Sequence, residues 1–193
     1  MKKKVLLLLL KGFEEYEAAV FTDVLGWSRS DGLEGVDVDT VGLTKQVNGT
    51  WNLRVLPEYQ LNEINVSDYD ALAIPGGFEE KGYYEEAYDD RILNLIREFD
   101  TQSKIIAAIC VAALPVGKSC ILENRKATTY HLGGKRRKQL AEFGVHVQDK
   151  RLVEDGNVIT CTGPGPALDV VFLLLERLTS IKNVETVKTA MGF

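Results

Sequence analysis

The chain has 193 residues, enough to bury one sizeable core, so a single domain over 1–193 is expected. Charged residues make up 26% and hydrophobic residues 45%, an ordinary globular mix. The 23 basic and 28 acidic side chains leave a net charge of −5, which argues against nucleic acid as the main partner.

In chain order, "KVLLLLL" at 4–10 reads as a central parallel strand, apolar on both faces. It is too short to cross a membrane, which takes roughly 20 apolar residues. The acidic "KGFEEYE" that follows is unlike a signal-peptide cleavage region, so a cytoplasmic protein is expected. The segment 14–25 predicts a helix with Tyr16, Ala19, Val20 and Val24 on one face. Alternation at 36–43 predicts a strand, and "GTWNLRVLP" at 49–57 a hairpin arm or edge strand stopped by Pro57. "YDALAIPGG" at 69–77 is a strand ending in a glycine turn.

A helix is expected over 83–100, with Ile92, Leu95, Ile96 and Phe99 as its stripe. "KIIAAIC" at 104–110 is another buried strand, and the helix after it carries Pro115 in its early turns, where a missing N–H costs little. A short strand at 126–130 precedes a helix at 133–144 closed by Gly144. The basic run "GKRRKQ" at 134–139 reads as a solvated face or a cover for an acidic patch. "EDGN" marks a hairpin within 146–163, and 166–179 is a strongly apolar helix. The tail is ambiguous between helix and an added strand. The sum is an α/β fold, a three-layer flavodoxin-like sandwich with a mostly parallel central sheet.

Such sheets place their sites beyond the carboxyl ends of the strands. That makes neighbours of "KGFEEYE", "PGGFEE" and Cys110. Cys110 reads two ways: a small buried hydrophobe, or a nucleophile elbow where strand becomes helix. Four small neighbours, Ala107, Ala108, Ala112 and Ala113, suit a sharp turn, and a helix start favours a thiolate. Gly76 and Gly77 read as a plain turn or as a close backbone approach to a ligand. The N–H groups of Gly77 and Val111 would then hold an oxyanion. Glu17 reads as a first-turn helix residue, or as a carboxylic acid of raised pKa that donates to the thiolate and keeps it charged near neutral pH. Three widely spaced cysteines form no disulfide framework, and with two histidines and no CxxC or HExxH no metal site is expected.

From "KKVLLLLLKGFEEYEA" through "YDALAIPGG" and "KIIAAIC" to "LVEDGNVITCTGPGPALDVVFLLLERL", the chain resembles the ThiJ/PfpI family, closest to its ThiJ-like branch, within the class I glutamine-amidotransferase-like superfamily. The resemblance carries the family's cysteine to Cys110, its glutamate to Glu17 and its glycine turn to Gly76 and Gly77. It implies a homodimer without a cofactor and a small carbonyl substrate, in a glyoxalase III or deglycase reaction. It equally implies stress sensing or chaperone action, with peptidase and isonitrile hydratase as remoter relatives. Neither nucleic acid nor membrane is an expected partner.

The chain departs from the pattern at three places. Val111 follows the cysteine where peptidase-like relatives place a histidine. "TTYH" puts Tyr130 at the position of a catalytic-type histidine and shifts His131 by one, which in an extended segment reverses its face. Trp51 stands near an arginine of the relatives' dimer-proximal loop, as an aromatic substrate wall or as interface packing. The first helix and the "GTWNLRVLP" arm are candidate interface elements. Cys120 and Cys161 read as buried structural residues.

Overall fold

The structure is a computed structural model that describes residues 2–193. Its strands are β1 Lys3–Leu8, β2 Val36–Gly42, β3 Val47–Asn48, β4 Arg54–Val55, β5 Tyr59–Gln60, β6 Ala71–Ile74, β7 Ile105–Ile109, β8 Lys126–Ala127, β9 His146–Val147, β10 Leu152–Asp155 and β11 Val158–Cys161. Its α-helices are α1 Glu15–Trp27, α2 Tyr83–Ala87, α3 Asp90–Thr101, α4 Ala113–Lys118, α5 Lys135–Glu142, α6 Ala167–Leu178 and α7 Ile181–Met191.

Seven strands form the central sheet in the order β10-β11-β7-β6-β1-β2-β5. All pairs are parallel except the β10–β11 hairpin. Parallel strands covered on both faces must be apolar on both; Val5 to Leu8, Ala71 to Ile74 and Ile106 to Ile109 are all buried. Helices α1, α6 and α7 pack together on one face, and α3 lies against β6 and β7 on the other. This is the expected three-layer sandwich. The order places β1 beside β6 and β6 beside β7, so the loops leaving these three strands meet at one sheet edge.

Several local expectations change. On α1 the buried side chains are Glu17, Ala18, Val20, Phe21, Val24 and Leu25, whereas Tyr16 and Ala19 face out. The helix turns so that Glu17 reaches the sheet edge, a pull that hydrophobic spacing does not encode. The helix expected over 83–100 breaks in two because the Asp89 carboxylate accepts the Arg91 N–H and starts α3 afresh. The segment at 49–57 is the turn and return arm of the β3–β4 hairpin. The tail is a helix, capped by the Ser180 hydroxyl, which accepts the Asn183 N–H. Cys120 is exposed in a turn at φ 73°, not buried, because α4 ends two residues earlier at Lys118. Among the described residues, no helix is long and apolar enough to cross a membrane.

Candidate active site

Cys110 sits at φ 59°, the left-handed region that a non-glycine residue occupies only under constraint. The constraint is visible in the packing. Its carbonyl accepts the Thr129 hydroxyl at 2.9 Å. A single turn of 3-10 helix, Cys110–Ala112, leads into α4. The side chain is 9% exposed, and that small window opens into a cavity of about 410 Å³. An elbow with its sulfur at a cavity wall is a nucleophile's position rather than that of a core hydrophobe.

Glu17 comes to the same place from α1. It is fully buried, and its Oε2 accepts the Gly76 N–H at 2.7 Å. Gly76 is glycine for lack of room: a Cβ there would stand 2.9 Å from the Cys110 Cβ and 2.9 Å from Glu17 Oε2. These two distances bring the Cys110 and Glu17 side chains together at the one point where a Gly76 side chain would stand. The other carboxyl oxygen, Oε1, is buried without a hydrogen-bond partner.

Burial raises the Glu17 carboxyl to about 8, against the pull of the Gly76 N–H. The expected neutral carboxylic acid is therefore the form favoured at pH 7. Burial also pushes the Cys110 thiol well above its ordinary value, and a charged Glu17 adds to that; the Val111 N–H pulls the other way. These surroundings work against the neutral-pH thiolate expected at a helix start. A protonated Glu17 removes the charge repulsion and can offer its proton to the sulfur. The two groups titrate as a pair.

Around the cavity stand Glu14, Trp51, Gly77, Phe78, Tyr130 and Arg136, with Cys110, Glu17 and Val111 at its floor. No acceptor among the described residues takes the Gly77 N–H, so it is free for a ligand. The Val111 N–H faces the sulfur. Of the two candidate bases after "TT", Tyr130 lines the cavity, whereas His131 is exposed and is not among the lining residues. Both residues lie beyond the end of β8 at Ala127, and their ring centroids are 6.1 Å apart. Gly76 acts behind the wall, through Glu17. Among the described residues, no group of three His, Cys, Asp or Glu side chains is arranged to hold a metal ion.

The sequence reading left out Arg136. Its guanidinium donates to Glu79 Oε2 at 2.7 Å and lies 4.8 Å over the Tyr84 ring, so it is held against one cavity wall. Lys135 binds the same oxygen at 2.9 Å, and the two cations hold the Glu79 carboxyl below its ordinary value. The signal was present, since a basic run covering an acidic patch was one of its two readings. The sequence did not show that the patch borders the cysteine.

A model of the DJ-1/PfpI family matches residues 3–177. Protein dj-1beta of Drosophila melanogaster is 29% identical over 189 residues, covering 97% of this chain and 95% of that protein. Protein DJ-1alpha of the same fly is 28% identical, covering 98% and 83%. The crystal structure of Drosophila melanogaster DJ-1beta superposes with a TM-score of 0.87 at 27% identity, over 99% and 98% of the two chains.

Proposed function

The chain belongs to the DJ-1/PfpI family, and from that premise we propose that it is a cofactor-independent cysteine enzyme acting on small reactive carbonyls. Its relatives support a cysteine-based, stress-related role of the DJ-1 kind; the reaction is the finer step. The observation that carries it is the strained, cavity-facing Cys110 packed with a buried, proton-holding Glu17 against Gly76.

The proposed substrate is a 2-oxoaldehyde such as methylglyoxal. The Cys110 sulfur attacks the aldehyde carbon, forming a C–S bond. The thiol proton passes to Glu17 in its ionised fraction, and the carbonyl oxygen takes a proton to give a hemithioacetal. Gly77 and Val111 N–H groups support the transient oxyanion. Glu17 then removes the proton from that carbon and returns one to the neighbouring carbon, while the hydroxyl proton moves from the first oxygen to the second, which leaves a thioester of a 2-hydroxy acid. Water cleaves the thioester and restores the thiol. The net change is addition of one water, so no oxidant or reductant is consumed. Tyr130 lies within reach of the cavity to orient the second oxygen. The same reading includes a homodimer, supported by the apolar side chains that α1 turns outward.

Lactate formation from methylglyoxal, followed by NMR, tests this. Wild type should produce lactate, Cys110→Ala none, and Glu17→Gln at least about 100-fold less, the usual size of a lost general acid–base group. Full activity in Cys110→Ala, or no lactate from wild type, would sink the reading.

One observation favours a second reading, a peroxide sensor: among the described residues no imidazole lines the cavity to act beside Glu17 as a second acid–base group. Two hydroperoxide equivalents would take the Cys110 sulfur to the sulfinate, each accepting two electrons, and a neutral Glu17 would donate to a sulfinate oxygen. A mass gain of two oxygens confined to Cys110, without lactate formation, would select it.

A further inference from the structure

Trp51 is 64% exposed, and Phe78 beside it 40%. Their rings meet edge to face, with centroids 5.4 Å apart, and both line the cavity that holds Cys110. Two aromatic rings left in water normally belong to a mobile loop or await a cover. This pair is not loosely held. The Glu15 carboxylate accepts the Trp51 N–H at 2.7 Å and the Leu53 N–H at 3.1 Å. The Trp51 indole N–H donates to Glu14 at 3.3 Å, and the Thr50 N–H and hydroxyl bind the Phe13 and Gly12 carbonyls. The same stretch of chain that supplies Glu17 therefore clamps the tryptophan over the cavity.

The volume adds a second argument. A cavity of about 410 Å³ falls within the roughly 300–1,000 Å³ of ligand pockets that enclose drug-sized molecules. A three-carbon carbonyl fills little of it. Lys135 and Arg136 bind the Glu79 carboxylate beside Phe78, so its charge is paired, and the two aromatic rings are the large apolar surface of the rim.

We propose that Trp51 and Phe78 form a preorganised aromatic lip that selects 2-oxoaldehydes carrying an aryl substituent over methylglyoxal. The inference rests on the carbonyl-enzyme reading and names its substrate class. The substituent ring covers the exposed faces of the pair while the aldehyde carbon reaches Cys110. Offset or edge-on contact with two fixed rings gains apolar burial at small entropic cost, because neither ring has to be ordered on binding.

The test separates binding preference from turnover. Native protein is alkylated with phenacyl bromide or with bromoacetone, an aryl and an alkyl haloketone; sulfur displaces bromide in both. The extent at each cysteine is read by peptide mass spectrometry. Exposed Cys120 supplies the intrinsic reactivity ratio in the same sample. The aryl-to-alkyl ratio at Cys110 should exceed that at Cys120 and fall about five- to tenfold in Trp51→Ala, as expected for one lost aromatic contact. Trp51→Phe should retain most of it. Phenylglyoxal and methylglyoxal turnover is measured alongside. A ratio that falls without turnover of either compound keeps the lip and overturns the enzyme. A ratio unchanged in Trp51→Ala overturns the lip, whether or not turnover occurs. Should that variant also shift a dimer to monomer by sedimentation, the rings are interface packing instead.

Discussion

Glu17 makes the largest single demand on the fold among the site residues. A carboxyl that titrates near 4.5 in the unfolded chain and near 8 in the folded one binds its proton more tightly when folded. Its sign follows directly. The native state holds the extra proton between those two values, so stability is greatest below about 4.5 and declines as pH rises through 8. At about 1.4 kcal/mol per unit, the full loss from this group is on the order of 5 kcal/mol. Glu17→Gln keeps an acceptor for the Gly76 N–H and removes the titration. Urea unfolding at pH 5 and pH 8 should therefore show wild type losing several kcal/mol relative to the variant, with the variant more stable at pH 8. Parallel pH dependence in the two proteins would mean that Glu17 ionises normally. The sequence made this residue readable as a candidate because a first-turn glutamate after a central strand reaches the sheet edge. It showed a basic run able to cover an acidic patch, but not that Arg136 borders the cysteine, a place that depends on how α5 sits against the loop at 78–80. His131 and Tyr130 stayed undecided for a similar reason: one residue of register reverses a face, and only the backbone path resolves it.

Elements were legible where apolar period and length agreed. The strand β6 is buried throughout, as are β1 from Val5 and β7 from Ile106, and the apolar runs place all three within two residues of their ends. The stripe of α3 at Ile92, Leu95, Ile96 and Phe99 is buried as its spacing implies. The tail is ambiguous in the sequence because its apolar residues are few and its start signal is a single serine. Ser180 accepts the Asn183 N–H at 3.2 Å and donates to Glu34 at 2.6 Å, joining α7 to the loop before β2. Asn183 completes the tie through the Glu34 carbonyl at 3.0 Å. Ser180→Ala removes the cap and should cost about 1 kcal/mol. Denaturant unfolding should show that loss, and hydrogen exchange should quicken first in α7, with β1 and β7 unchanged. Unchanged exchange in α7 would mean that Asn183 alone secures the helix.

At the scale of the whole molecule, the sheet order assembles the site, and the helices determine which surfaces remain to meet another molecule. With α1 rotated so that Glu17 points inward, Tyr16 and Ala19 necessarily point out. They border Leu168, Met191 and Phe193 from α6, α7 and the carboxyl terminus. Tyr16 is 46% exposed and Phe193 67%, so the outer apolar patch is a consequence of burying the catalytic-type carboxyl. The proposed homodimer uses this patch, which shares no lining residue with the cavity under the Trp51 lip. Sedimentation velocity at micromolar concentration should give a dimer of the 21.5 kDa chain. Tyr16→Glu should shift it toward monomer, because a carboxylate in a dry interface is left without a partner. The Cys110 alkylation ratio should not change in that variant if patch and lip are separate surfaces. A wild type that sediments as a monomer would remove the dimer from the proposal, while a dimer indifferent to Tyr16→Glu would move the interface to another face. In either case the inward turn of α1 remains the structural cause of both features, since one helix rotation buries Glu17 and exposes Tyr16.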